Sequence, residues 1–146
     1  MITGVIFWQD EDQVFPIANW IDNVNVLLGW WLGALIKLAG GADQDKFLFM
    51  EGPYEMSLKR VDADHIDIVG LRGSPTSNID LCDPGKSFHT TSRLTALAKE
   101  VLQAGHQLHA EASAKPIVGN GLHLQGFLRA EALLLEKLRR NGRIDD

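Results

Sequence analysis

The chain is short of several things, and each shortage closes off a class of answer. It has one cysteine, Cys82, in 146 residues, so no intramolecular disulfide and no cysteine-rich metal site is possible. A lone thiol fits a reducing compartment, and a cytoplasmic protein is expected. The first residues, MITGVIFWQDEDQ, have neither a basic start nor a long apolar stretch, so no secretory signal is expected there. No internal repeat or low-complexity tract occurs. The longest apolar run is Val24–Ala39, VNVLLGWWLGALIKLA, bounded by Asp22-Asn23 and by Gly40-Gly41 with Asp43, and interrupted by Asn25 and Lys37. A membrane span needs about 20 apolar residues, so a buried helix is expected instead and no membrane partner.

Basic residues are scarce in the first part of the chain. Residues 1–85 carry 13 acidic and five basic side chains, whereas residues 86–146 carry six acidic and nine basic ones, and the net charge is −5. An acidic surface repels phosphate backbones, so direct nucleic-acid binding is disfavoured. The same asymmetry suits a partner with a basic surface, through steering and register.

What is present is an ordinary globular composition. Apolar residues make up 45% and charged residues 23%, which excludes extensive disorder. The length suits one domain over residues 1–146, able to bury roughly 68–70% of its unfolded surface without staples.

Val24–Ala39 predicts a helix of about four turns. Leu27, Trp30, Trp31, Ala34, Leu35 and Leu38 share one face at helical spacing, which assigns Trp30 and Trp31 to the core. Asn19 or Asp22 is placed to cap its start, and Gly40-Gly41 to end it. Gly29 and Gly33 weaken the helix and suggest close packing against a neighbour. Before it, Ile2–Trp8 reads as a strand and Val14–Ile17 as a short return limited by Pro16. After it come an apolar strand over Phe47–Glu51, a Gly52-Pro53 turn, and alternating strands over Tyr54–Val61 and His65–Arg72 joined at Asp62–Asp64. These three make an antiparallel meander with one wet face. Gly73–Lys86 is a loop with a brief Ile79–Cys82 strand. Thr90, Thr91 or Ser92 is placed to cap a second helix reaching Ala114, and a third runs from Leu122 to Arg140, with Leu124, Phe127, Leu128, Leu134, Leu135 and Leu138 on its buried side. The expected class is α+β: the meander plus the N-terminal strand, packed against about three helices.

No pattern carries catalysis or a cofactor. His106 and His109 stand three apart with Glu111 nearby, and helical histidines at that spacing can share an ion. His109 lies on the apolar stripe and no third ligand follows at telling spacing, so ordinary helix histidines are expected. Cys82, beside Asp83 and seven residues before His89, lacks the electropositive setting of a nucleophilic thiol. Gly70/Gly73 and Gly119/Gly121 have no phosphate-binding lysine and read as turns. Asp10, Glu11 and Asp12 form an acidic stretch that is either a charged loop, a partner-facing patch or, with Asp22 or Glu51, a carboxylate cluster. Four tryptophans are many for one domain. Trp8 and Trp20 are the ones more open to an interface role, since tryptophan dominates binding hot spots.

At Trp20-Ile-Asp22-Asn-Val, Leu28-Gly-Trp30-Trp31-Leu32 and Phe47-Leu-Phe-Met-Glu51-Gly-Pro53-Tyr54-Glu55 the chain resembles the small immunity proteins of bacterial polymorphic-toxin systems, among them those of contact-dependent growth inhibition. The resemblance covers much of the layout and about 20 residues of motif. It implies a cytoplasmic, non-enzymatic protein that binds the C-terminal domain of a cognate toxin, such as a basic nuclease, and covers its active site. No catalytic residue, cofactor or metal is implied. The partner-binding residues it suggests are the acidic ones of the first part: Asp10, Glu11, Asp12, Glu51, Glu55, Asp62, Asp64 and Asp67. The alternative is a structural or regulatory protein-binding module, with a second copy of the chain as partner.

Overall fold

The computed structural model describes residues 3–73, 79–81, 88–114 and 124–141, and these form an α+β fold. The chain opens with a bent hairpin. β1 (Thr3–Val5) pairs antiparallel with β4 (Ile21–Asn23), and β2 (Trp8–Asp10) with β3 (Gln13–Phe15). Between the two pairs Ile6 N–H donates to Trp20 O at 2.8 Å. The strand expected over Ile2–Trp8 is therefore two short ones, and neither joins the main sheet. Burial of Phe15 explains this. Its ring is fully buried, and it lies so close to Gly70 that a Cβ there would stand 2.3 Å from it. That contact lays the hairpin across the sheet instead of beside it.

α1 spans Val24–Ala39, as the apolar run predicts. Leu27, Leu28, Trp31, Leu35 and Leu38 are buried and form the centre of the core. Trp30 is not with them: it is 43% exposed, on a solvent-facing stripe with Val26, Gly29 and Gly33. Nothing lies within 4 Å of where a Cβ would sit on Gly29 or Gly33, so neither glycine serves close packing. At the helix end Gly41 adopts φ 111°, its N–H donates to Leu38 O, and Ala42 N–H donates to Lys37 O. This paired arrangement uses the last carbonyls as a Schellman cap does. The Arg60 guanidinium donates to Leu38 O and Ala42 O, and Asn141 Nδ2 donates to Ala39 O at 2.7 Å. A strand and the end of the last helix thus both tie down the negative pole of α1.

The main sheet has five strands: β5 (Gln44–Leu48), β6 (Tyr54–Arg60), β7 (His65–Gly73), β8 (Ile79–Leu81) and β9 (His89–Arg93), all pairing antiparallel. β5, β6 and β7 are the expected meander, but β5 lies three residues earlier than the Phe47–Glu51 expected for it. β8 and β9 both pair β7, at its end and its beginning. Gly70, read as a turn residue, lies inside β7 opposite Met56. Thr90, Thr91 and Ser92 lie in β9 and do not cap the next helix. β9 runs straight into α2 (Leu94–Ala114), whose first N–H donates to Asp64 O at 2.8 Å. α3 (Leu124–Arg140) buries Phe127, Leu134 and Leu138, but Leu128 is exposed.

Met56, Leu58, Ile66 and Ile68 face the helices and are buried. The alternate residues, among them Lys46, Glu55, Lys59, Asp67 and Thr91, occupy the opposite face, which is half-buried to exposed as a one-sided sheet requires. No helix among the described residues is long and apolar enough to cross a membrane. Cys82 and the pair Gly119/Gly121 lie outside the described residues.

Candidate functional site

The eight acidic candidates fall in three places. Asp10, Glu11 and Asp12 make the tip of the β2–β3 hairpin, with Glu11 at φ 54° and both Glu11 and Asp12 exposed. Glu51 lies in the β5–β6 connection, and Glu55 follows on β6 with its carboxylate 3.4 Å from Lys46 Nζ. Asp62 and Asp64 occupy the β6–β7 turn at the far end of that strand, and Asp67 lies on β7.

Two of these places meet. Gln13 Oε1 accepts from His89 N–H at 2.7 Å, and His89 Nε2 lies 2.7 Å from Asp67 Oδ1, which Thr91 also reaches. The acidic hairpin tip is thereby held beside the Asp67 edge of the open sheet face. Glu51 and Glu55 stand apart from Asp62 and Asp64 by the length of β6, about 20 Å for seven residues. Asp62 has a task of its own. Its Oδ1 accepts from Asp64 N–H and His65 N–H at 2.8 and 2.9 Å, with the His65 ring alongside. The Asp64 N–H first, then the His65 side chain, hold its carboxyl below the ordinary value.

Two of the three motifs behind the resemblance, those at Trp20–Val24 and at Phe47–Glu55, meet in one contact. Asp22, 1% exposed, accepts from Trp20 Nε1 at 3.0 Å, from Asn23 N–H at 2.7 Å and from Glu51 N–H at 3.1 Å. Trp20 packs edge-on against Tyr54, with ring centroids 5.3 Å apart, and its ring lies over Gly52. Asn23, not Asp22, holds the N-cap position of α1, and it makes no side-chain capping bond. Trp20-Ile-Asp22 and Glu51-Gly-Pro53-Tyr54 therefore clamp the hairpin to the β5–β6 connection. Trp8 also belongs to the packing, stacked on Phe47 and tilted against Trp31. The roles expected of the tryptophans are thus partly exchanged: Trp8 and Trp20 pack against the core, and Trp30 faces outward.

His106 and His109 pack on Phe127, at 5.0 and 5.1 Å between ring centroids, and His106 Nε2 pairs with Glu131 of α3. Among the described residues, no three His, Cys, Asp or Glu side chains are grouped to hold a metal ion. Burial first, and the charge of His106 second, keep His109 below its ordinary value of 6.5. The unfolded chain then takes up a proton where the folded one does not. Stability is complete above the ordinary histidine range and falls as the pH drops through it. Urea midpoints measured from about pH 7 down to about pH 5 should decline, and less steeply in His109→Phe than in the parent.

A cavity of about 520 Å³ opens between the hairpin segment 6–10, the helix pair α1 and α2, and the strand β9. The buried Leu28, Trp31, Met56, Ile68 and Val101 lie behind its walls, and among the described residues Asp10 and Glu100 are its ionisable side chains. Asp10 is the sequence candidate that the structure places at a cavity. Glu100 carries no signal in the sequence, because its place on this lining depends on a hairpin some 90 residues earlier folding near α2.

Compared with family models, curated proteins and solved structures, the chain matches none.

Proposed function

We propose that this chain is an immunity protein: a cytoplasmic, non-enzymatic inhibitor that binds the C-terminal domain of a cognate bacterial toxin. The observation that carries the reading is the hairpin formed by residues 3–23. It contains four carboxylates and no Lys, Arg or His, and it presents Asp10, Glu11 and Asp12 at its tip beside the open sheet face. Such a surface complements a basic nuclease, whose substrate cleft must attract phosphate. It would cover that cleft and would associate fast at low salt. The family resemblance points the same way. The fourth hairpin carboxylate, Asp22, is buried in the clamp and takes no part.

The test is co-expression with the toxin domain encoded beside it. A complex stable to gel filtration is expected. The combined change Asp10→Lys, Glu11→Lys, Asp12→Lys should slow association at least about tenfold and flatten its salt dependence. Failure to form any complex with that domain would sink the reading.

A second reading, a structural or regulatory module that pairs with its own copy, is favoured by one observation. Val5 and Ile21 lie directly opposite each other on the β1–β4 ribbon at 57% and 64% exposure, with Ile17 exposed nearby. Exposed apolar groups in contact mark association surfaces. Under this reading sedimentation velocity gives twice the chain mass without toxin, and Ile21→Lys restores the monomer.

A further inference from the structure

The five-stranded sheet has an edge at β5 and another at β9, and they are finished differently. At β5, Arg60 N–H donates to Asp43 O, so the backbone groups of Gln44, Lys46 and Leu48 are the ones that point away from β6. This edge is blunted. Lys46 N–H donates to the Asp45 carboxylate at 2.8 Å, Leu48 O accepts from the Trp31 indole at 2.8 Å, and a lysine stands in the middle of the strand. Such devices keep an edge from pairing with another chain.

The edge at β9 has none of them. Gly70 N–H donates to Phe88 O and Leu94 N–H to Asp64 O, both at 2.8 Å, so Phe88, Thr90, Ser92 and Leu94 are the residues turned towards β7. The backbone groups of His89, Thr91 and Arg93 point the other way. His89 N–H meets Gln13 Oε1 at 2.7 Å, and no described strand pairs with the rest. The strand reads His-Thr-Thr-Ser-Arg, with neither proline nor lysine, and threonine favours strands. Open space adjoins it: Thr90, Thr91 and Ser92 border the cavity whose other sides include segment 6–10 and α2.

A free edge beside open space is suited to an added strand, bound through its backbone and selected by alternate side chains. One row of those side chains would lie on the side of Thr90 and Ser92, towards the half-buried Ile6 and Trp8 and the exposed Ala96, which suits apolar groups. The other row would lie with Thr91, which stands opposite Asp67 of β7. Asp10 borders the space from the hairpin and Glu100 from α2, and among its described residues there is no Lys, Arg or His. The fixed cation of β9, Arg93, is its last residue. A basic segment is favoured here and an acidic one repelled, whichever carboxylate it passes.

We propose that the free edge of β9 accepts an extended segment of a partner protein, with alternating apolar and basic residues, as an added strand. The proposal does not rest on the toxin reading, and no toxin enters its test.

The probe is the peptide acetyl-Lys-Val-Lys-Val-Lys-amide. Its controls are the same peptide with glutamate for lysine, and the fully N-methylated lysine peptide, which keeps the charge and lacks backbone donors. Amide hydrogen exchange of the whole chain is followed residue by residue by NMR. In the free chain the amides of Thr91 and Arg93 should exchange at least about tenfold faster than those of Thr90 and Ser92, which are bonded to β7. The lysine peptide should slow Thr91 and Arg93 at least about tenfold, and neither control should. Thr91→Pro, with its fold confirmed by circular dichroism, removes an edge donor and leaves the bonds to β7, so it should abolish the protection at Arg93. The proposal is overturned if Thr91 and Arg93 are as slow as their neighbours in the free chain, if the lysine peptide leaves their exchange unchanged, or if either control protects them equally. Protection that grows with protein concentration alone would assign the edge to a second copy and overturn the basic segment as its occupant.

Discussion

Trp31→Ala is expected to destabilise the fold by about 3–5 kcal/mol, the range for deleting a large buried aromatic. Trp31 is 2% exposed and lies in the aromatic centre, with Phe47 stacked at 5.2 Å, Phe49 edge-on at 5.4 Å and Trp8 at 5.5 Å between centroids. Its indole N–H donates to Leu48 O at 2.8 Å, so the substitution also removes the donor to a carbonyl of β5. That loss adds to the cavity term. Trp30, its neighbour in sequence, provides the control. It faces solvent, and alanine is the better helix former, so Trp30→Ala should shift stability by no more than about 1 kcal/mol. Urea denaturation of the two variants side by side decides the matter. Equal losses would mean that the two tryptophans share one environment, contrary to the structure.

Gly105, the one glycine of α2, should not tolerate a side chain. In an open helix Gly→Ala gains up to about 1 kcal/mol, because alanine is the better helix former. Here the sign reverses. A Cβ on Gly105 would lie 2.1 Å from Cε2 and 2.5 Å from Cζ of Phe127, whose ring is fully buried. The atoms in the way belong to a rigid ring, also flanked by His106 and His109, so it cannot swing aside as a flexible side chain would. Gly105→Ala is therefore expected to cost about 3 kcal/mol or more, at the upper end for overpacking. Phe127→Leu alone loses packing. In the double variant the two costs should not add, since the smaller side chain vacates the space the new methyl needs. Simple additivity in denaturation midpoints would show that Gly105 and Phe127 do not compete for one space.

The two cases mark how far the sequence can be read. The period of Val24–Ala39 suffices to place a helix and its ends, because an apolar run of that length bounded by Asp22-Asn23 and Gly40-Gly41 has few other solutions. Alternation likewise locates β6 and β7, since Tyr54, Met56 and Leu58 must share a face whatever they pack against. The α+β class followed from these segments. Trp30 shows where periodicity fails. It lies at the margin of the apolar sector, and only the positions of the neighbouring helices and sheet decide which margin is covered. The glycines show the same limit. Gly29 and Gly33 have the spacing of a packing motif and pack against nothing, while Gly70 and Gly105 have no distinctive spacing and receive the rings of Phe15 and Phe127.

The candidate site was legible in composition only. Scarcity of basic residues in the first part of the chain singled out its carboxylates, and the hairpin tip Asp10–Asp12 does present them. Charge counting could not tell those that face outward from those the fold uses. Asp22 is locked under Trp20, Asp62 shapes a turn, and Glu55 and Asp67 have cationic or histidine neighbours. What the sequence by itself determined is the set of local elements and the sign of the surface, because periodicity and charge are properties of a segment alone. What only the tertiary structure decided is which tryptophan is outside, which glycine is a seat for a ring, and that Asp10 and Glu100 line one cavity. Those depend on segments distant in the chain meeting across the core, and no single segment carries the information of where its neighbours will lie.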